Sequence, residues 1–344
     1  VATGDIHGAL PQLLATLSRA NLIALDKSRL GKYRWTGGKT VWISTGDYVD
    51  RGDYSLEVLQ FIIELQNQAE TADGKVVALL GNHEVMLLNG DVARRARYEK
   101  RNKKKFRPYG KTVTSFEKLG IPFRHVVSNK NKIGRFLRRL PVMAVINGRF
   151  GFIHAGFGKL TSLNKIRKSF RQCVNDDNWN CSFLAPRTEE EAQSSPIWAR
   201  DWWKDKKHVD LLLQNLGLGE LIFAHTPNGL VPSSLIERRR RVRQFIKSSR
   251  HSFNKRRMAL YERRLLTLNK EIKELASTIQ TTGRLFNLDI GMCPCYKMSR
   301  GGCLEIISHE GAAVFRAVYP DRPTVLLKSD PYEAKVIEGI EETL

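Results

Sequence analysis

Five short polar clusters, each at the end of an apolar run, constrain this chain most: Gly4-Asp5-Ile6-His7-Gly8, Gly46-Asp47-Tyr48-Val49-Asp50-Arg51-Gly52, Gly81-Asn82-His83-Glu84, His154-Ala155-Gly156 and Ala224-His225-Thr226-Pro227. The runs leading into the first three, at 1–5, 41–47 and 75–81, read as buried strands. Between them Leu10, Leu13, Leu14 and Leu17, then Leu56, Leu59, Ile62 and Ile63, recur at helical spacing. Strand, loop and helix repeated three times is the grammar of βαβ units. In open α/β sheets the C-terminal strand ends form the ligand-binding edge, which is where these polar residues fall.

The pattern changes further along. Segments 141–147 and 149–154 flank Gly148 like a hairpin, and 221–225 is a short strand ending in His225. Segments 285–289, 303–307, 313–319 and 324–328 read as successive strands separated by turn residues. The expectation is an α/β fold in which a second, more antiparallel sheet packs on the first.

The clusters offer carboxylate oxygens and imidazole nitrogens but no thiolate. Such a set suits manganese, iron or catalytic zinc rather than a structural zinc. Two such ions about 3.5–4 Å apart need a shared carboxylate, and together they clamp phosphate oxygens and activate water. Glycines beside the ligands let the backbone turn tightly around them. His125, His208, His251 and His309 belong to no cluster and read as ordinary surface or core histidines.

These motifs resemble the calcineurin-like metallophosphoesterases, in particular the phosphoprotein phosphatase branch and, within it, the Shewanella-like phosphatases. The local supports are Gly81-Asn82-His83-Glu84-Val85-Met86, Pro196-Ile197-Trp198-Ala199-Arg200, Ala224-His225-Thr226-Pro227 and Leu288-Asp289-Ile290-Gly291-Met292. The resemblance implies a metallophosphoesterase fold of two facing β-sheets flanked by helices. It implies one metal held by Asp5, His7 and Asp47, and a second held by Asp47, Asn82, His154 and His225, with Asp47 bridging. It further implies that His83, oriented by Asp50, protonates the leaving oxygen, and that Arg51 and Arg200 hold phosphate oxygens. Leu87 stands where this branch usually has Asn, which bears on the substrate rim and not on the metals.

Charge is distributed unevenly. The net charge is +22, but residues 94–111 hold ten Lys/Arg against one Glu, and 236–284 hold fifteen against four. The rest of the chain is nearly neutral. Residues 1–230 and 285–344 are therefore read as the catalytic domain, 94–111 as a basic segment within it, and 231–284 as a basic insertion. No Pro or Gly occurs between Pro232 and Gly283, which favours a long helix or a helical hairpin. Met258, Tyr261, Leu265, Leu268, Ile272, Leu275 and Ile279 step by three and four, an a/d seam that either packs on the protein's own body or takes a partner helix over 258–279. The basic runs point to RNA through 94–111 and 236–257, by phosphate contacts more than by base stacking.

No C-x-x-C pair exists among the five cysteines, so neither a zinc ribbon nor a disulfide scaffold is expected; the reading is free thiols in a reducing compartment. No apolar run is long enough for a membrane span. Val1 stands only four residues before Asp5, so the natural N-terminus is expected upstream, and with it any targeting segment. The leading function is a two-metal phosphatase acting on phosphate monoesters, with phosphoproteins as substrates. Two others stand beside it: a component of a ribonucleoprotein, such as an organellar (mitochondrial) ribosome, that keeps the fold as a scaffold, and a nucleotide or dinucleotide phosphatase.

Overall fold

The computed structural model describes residues 1–26, 32–120, 122–248, 255–309, 312–331 and 340–343. Strands Ala2–Thr3, Val41–Ser44 and Lys75–Ala78 lie parallel, with Ala2 opposite Ile43 and Ile43 opposite Val77. This register brings the three strand ends level, so that Asp5, Asp47 and Asn82 emerge along one edge. The helices Leu10–Arg19 and Ser55–Thr71 return the chain between the strands. Side chains alternate along each strand: Trp42 and Val76 face the helical core, while Ile43 and Val77 face the other sheet. Both faces are apolar because both are covered.

The second sheet runs Ile340–Thr343, Met143–Ile146, Phe150–Ile153, Glu220–Phe223, Leu285–Asn287 and Gln280–Thr282. Phe150 and Phe286 cross from it to meet Phe315 of the first sheet, with ring centroids 5.9 and 4.7 Å apart. Two facing six-stranded sheets are thus the frame, as expected. The division of strands is corrected. Cys303–His309, Ala312–Val318 and Val325–Pro331 extend the first sheet, because Leu304 pairs antiparallel with Ala2. The second sheet holds three neighbouring parallel strands, Phe150–Ile153, Glu220–Phe223 and Leu285–Asn287. Both sheets are therefore mixed.

The region 231–284 contains two helices, Ser233–Ser248 and Lys255–Ala276, that pack on each other; residues 249–254, within the basic run assigned to RNA, lie outside the described residues. Leu268, Ile272 and Ala276 bury against Val231, Leu235 and Val242, with Tyr261 and Leu265 partly buried beside them. Phe245 and Tyr261 meet ring to ring at 4.2 Å. The seam over 258–279 is therefore covered by the chain's own preceding helix and not left for a partner helix. It also departs from heptad spacing at its end. Leu275 is exposed and Ala276 takes its place, as a period of 3.6 rather than 3.5 dictates in a short, straight pair. Ile279 lies beyond the helix and joins the core between the sheets.

The free-thiol reading is corrected for two cysteines. Cys173, on the helix Leu163–Asn175, is bonded to Cys181 in the loop that follows; Cys293, Cys295 and Cys303 are free. Spacing does not reveal the pair because a bridge across a helix end has no fixed sequence signature. No helix among the described residues is long and apolar enough to cross a membrane.

The hairpin yields a test. Ile272→Asp places a carboxylate in its core, at a cost of about 3–5 kcal/mol, so hydrogen exchange over 233–276 should lose protection while metal content stays unchanged. Lys270→Asp, on the exposed face, loses only its i,i+4 pairing with Glu274 and adds a like-charge contact, at a cost of no more than about 1 kcal/mol.

Candidate active site

The turns that carry the polar clusters are backbone-strained. His7, Asp47, Asp50, Arg51 and His225 all adopt left-handed φ, between 46° and 70°. Non-glycine residues hold such angles only where the surroundings impose them, at about 1–3 kcal/mol each. The glycines permit the close approach: a Cβ on Gly46 (φ 107°) would lie 2.6 Å from the Gly81 nitrogen. The first and second strand-end turns are also bonded to each other. The amides of Ile6 and His7 both donate to the Asp47 carbonyl, at 3.0 and 2.8 Å.

Asp47 sits between two groups of ligand atoms. On one side its Oδ2 is 3.5 Å from His7 Nε2 and 3.8 Å from His83 Nε2. On the other its Oδ1 is 3.4 Å from His154 Nε2. Among the described residues, Asp47 with His7 and His83, and Asp47 with His154 and His225, are the two buried clusters whose atoms lie close enough to hold a cation. Asp5 reaches both sides, with Oδ2 3.7 Å from His7 Nε2 and Oδ1 accepting from the His225 amide at 3.2 Å.

Second partners set the tautomers. His7 Nδ1 donates to the Val49 carbonyl at 2.8 Å, and His154 Nδ1 to that of Thr45 at 2.9 Å. Each ring is therefore left with a lone pair on Nε2, aimed into the site. His154 Nε2 faces Asn82 Oδ1 at 3.0 Å, His225 Nδ1 at 3.1 Å and Asp47 Oδ1 at 3.4 Å. Three of those four atoms are pure acceptors, and at most one proton lies among them. His225 Nε2 is buried without a partner. Apart from that proton and the His83 amide, which donates to Asp47 Oδ1 at 3.0 Å, the buried cluster consists of acceptors, the donor set a divalent cation requires, so the residues fit the metals that the motifs imply.

Protonation follows the same logic. Burial, then the neighbouring Arg51, hold His7 well below the ordinary histidine range; burial also lowers His154 and, with the His154 charge, lowers His225 further. Neutral imidazoles are what metals bind. His83 behaves oppositely. Burial works against its charge, but Asp47 and the hydrogen bond to Asp50 outweigh it and raise its pKa. Its Nδ1 is 2.6 Å from Asp50 Oδ2, and Asp50 Oδ1 accepts from Thr112 Oγ1 at 2.6 Å.

All ten residues singled out from sequence border this one site. Arg51 contacts His7, reaches His83 Nε2 at 3.3 Å and lies over Tyr296. Arg200 is exposed on the opposite rim, held by Thr226 Oγ1 at 3.0 Å. Leu87 is fully buried in the helical core, so its departure from the usual Asn does not shape the rim. His208 bonds the Phe157 carbonyl, and His125 is exposed.

Four further residues belong to the site and were not singled out from sequence. Glu84 accepts from the amides of Asp47 and Tyr48 at 2.8 Å and of Gly81 at 3.0 Å, tying the bridging turn to the third strand end. Asp289 lies beside Asp5 with Oδ2 unpaired, and burial pushes its carboxyl up to about 6. Thr112 and Tyr109, whose ring stacks on His83 at 6.3 Å, come from the helix Pro108–Glu117 at the end of the first basic run. That run is built into the site wall. Glu84 stands inside a quoted motif, so its motif is a signal; Thr112 and Tyr109 give none.

Glu84 carries a prediction. Glu84→Gln turns an NH₂ toward amide donors and leaves at least one unpaired, at about 1–3 kcal/mol. Calorimetric Mn²⁺ titration should show affinity lower by about 10–100-fold. An unchanged affinity would show that the carboxylate does not position Asp47.

Comparison with known proteins agrees with this geometry. Shewanella-like protein phosphatase 2 of Arabidopsis thaliana is 43% identical over 91 residues, covering 26% of this chain and 22% of that protein. Shewanella-like protein phosphatase 1 of Plasmodium berghei is 26% identical over 197 residues, covering 57% of this chain and 46% of the relative. The chain thus spans less than half the length of either. The crystal structure of a cold-active protein-tyrosine phosphatase from a psychrophilic Shewanella species superposes with a TM-score of 0.61 at 20% identity, covering 95% of this chain and 79% of that one, and so shares the fold. The family model for calcineurin-like phosphoesterases matches residues 1–229, a span that takes in all five polar clusters and the strands that deliver them. With the paired ligand clusters and the two-sheet frame in place, the chain belongs to the calcineurin-like phosphoesterases.

Proposed function

We propose that the protein is a two-metal phosphatase that hydrolyses phosphate monoesters on phosphoproteins. The observation that carries this reading is the pair of buried acceptor clusters joined at Asp47, with an arginine on either side. Asp5, His7 and Asp47 would hold one divalent cation, and Asp47, Asn82, His154 and His225 the other. Manganese, iron and zinc all suit this ligand set. Bound there, the cations would supply Lewis acidity, offsetting phosphate charge and acidifying water.

The chain's own residues do the rest. Arg51 lies beside His7 and His83, Arg200 beside Thr226, and a guanidinium fork matches two phosphate oxygens. With Nδ1 on Asp50, His83 turns Nε2 toward Arg51, where it would donate a proton to an ester oxygen placed between them. Asp50 fixes its ring from behind, and Thr112 fixes Asp50. A buried acid oriented in this way donates to a leaving alkoxide more readily than water does. Relatives named as protein phosphatases match up to 59% of this chain, and those named as bis(5'-nucleosyl)-tetraphosphatases 25%, which favours phosphoproteins over dinucleotides.

The outer face of the helical hairpin supports a second activity, RNA-phosphate binding. Arg238, Arg240, Arg241, Arg243, Arg256, Arg263 and Arg264 are exposed, together with Leu260 and Leu266, while Leu235, Val242, Leu268 and Ile272 pair inward. Arg240 and Arg241 pair with Glu237 at the surface, and the face as a whole offers cations to a polyanion, for which phosphate contact requires no stacking rings.

Three outcomes test these readings. With Mn²⁺ the protein should hydrolyse an aryl phosphate, and Asp47→Asn should lower the rate more than about 100-fold, beyond the usual cost of losing an outer partner. His83→Ala should cost about 10²–10⁴ in rate with both ions still bound by metal analysis; loss of an ion would make His83 a ligand instead of the acid. Replacing Arg238, Arg240, Arg241 and Arg243 with Ser should reduce the salt slope of RNA binding by roughly 0.7–0.9 per lost contact while sparing aryl phosphate hydrolysis. Equal, weak RNA binding by wild type and variant at low salt would dismiss the RNA reading.

A further inference from the structure

The loop from Asp289 to Arg300 leaves the strand Leu285–Asn287 and runs along the mouth of the site. Its first turn is the 3₁₀ turn Pro294–Tyr296, closed by the Tyr296 amide on the Cys293 carbonyl at 3.0 Å. The turn brings two thiols together. Cys293 Sγ and Cys295 Sγ lie 2.8 Å apart, in hydrogen-bonding contact and not bonded covalently. Neither has a part in the metal clusters or in the phosphate contacts.

The two thiols differ. Both border a cavity of about 370 Å³ with Arg51, Lys111, Phe106 and Tyr54, but Cys293 is buried whereas Cys295 is partly exposed. The hydrogen bond from Cys293 lowers the Cys295 pKa, and the positive charges of Arg51 and Lys111 lower it further. The same hydrogen bond and burial push the Cys293 thiol up. A reachable sulfur that accepts a hydrogen bond from a buried thiol 2.8 Å away is the arrangement of a redox pair, with Cys295 as the attacking sulfur and Cys293 as the resolving one.

The pair also touches the phosphate clamp. Tyr296, the next residue, contacts the Arg51 guanidinium through its hydroxyl, and Arg51 lies over its ring at 5.3 Å. On the other side Lys297 takes a left-handed φ of 53° to end the turn, and Met298 packs against the hairpin core. The segment is therefore held at both ends, and a change in the turn must move Tyr296.

We propose that Cys293 and Cys295 form a redox-active dithiol, and that its oxidation to a disulfide displaces Tyr296 from Arg51 and weakens phosphate binding. With a peroxide as oxidant, the Cys295 thiolate attacks one oxygen and becomes a sulfenic acid, and the other oxygen leaves as hydroxide, which takes up a proton to become water. The Cys293 sulfur then attacks the sulfenic sulfur, closes the S–S bond, and releases its proton with the departing hydroxide as a second water. Two thiols lose two electrons, and the peroxide gains them. A dithiol reductant reverses the change by exchange. Formation of the disulfide is independent of the proposed activity; its effect on phosphate rests on that reading.

The experiment uses the full chain loaded with Mn²⁺, treated with hydrogen peroxide and then alkylated, with inorganic phosphate as the binding probe. Peptide mass mapping should show Cys293 and Cys295 lost to alkylation and joined to each other, while buried Cys303 remains alkylatable after denaturation. Phosphate affinity should fall about tenfold or more and recover with dithiothreitol. Cys293→Ser should trap a sulfenic acid at Cys295 that reacts with dimedone, and Cys295→Ser should show neither trapping nor loss of affinity. If both thiols stay alkylatable under excess peroxide, or if Cys295→Ser loses phosphate affinity as wild type does, the proposal is overturned. If the disulfide forms and phosphate binding is unchanged, the coupling through Tyr296 is overturned. A reduced protein that binds no phosphate yet forms the disulfide would count against the phosphatase reading and for the dithiol.

Discussion

Everything at this site depends on the carboxylate of Asp47 being shared. Its two oxygens face different ligand groups, and its own backbone accepts and donates the bonds that fix the surrounding turns. A buried carboxylate among four imidazoles is drawn strongly toward the ionised state; burial opposes this, and the surrounding His154, His83, His7 and His225 rings outweigh it. Glu84 is the counterpart behind it. It commits both oxygens to three amides so that Asp47 is free to face inward. The strained angles at His7, Asp47, Asp50, Arg51 and His225 are then intelligible as one effect: side chains from five loops must converge on a few ångströms, and the two packed sheets supply the stability that holds them there.

Much of this is legible in the chain itself. The strand ends bearing Asp5, Asp47 and Asn82 are visible because a buried strand must stay apolar until it reaches the sheet edge, and each of these runs stops abruptly at a polar residue beside a glycine. His154 and His225 can be attached to them only through resemblance, since nothing in the spacing says that strands 70 residues apart become parallel neighbours. The sheet assignment fails for the same reason. Cys303–His309 looks like the next strand of an antiparallel set, and only its pairing with Ala2–Thr3 places it in the first sheet. Thr112 and Tyr109 are invisible because they act through Asp50 and His83, and a residue that works through another leaves no motif of its own.

The basic segments illustrate a different limit. Composition locates the excess charge but not what it rests on. Within 94–111, Arg95 lies over the Tyr109 ring and Lys111 shares a helix with Tyr109 and Thr112, so this run is part of the catalytic wall as well as a positive surface. In the hairpin the apolar seam pairs with the preceding helix, and the hairpin reaches the site through Met298, which packs on it from the same loop that carries Cys293, Cys295 and Tyr296. The geometry thus places the basic hairpin, the paired thiols and Arg51 along one continuous path of contacts.

The central claim is that one carboxylate joins two cations, and electron paramagnetic resonance of the protein loaded with two equivalents of Mn²⁺ tests it most directly. Ions bridged by Asp47 should give an exchange-coupled spectrum that weakens at the lowest temperatures and reverts to an isolated-ion signal in Asp47→Ala. Two independent Mn²⁺ signals in the wild type, unaltered by that substitution, would contradict the account.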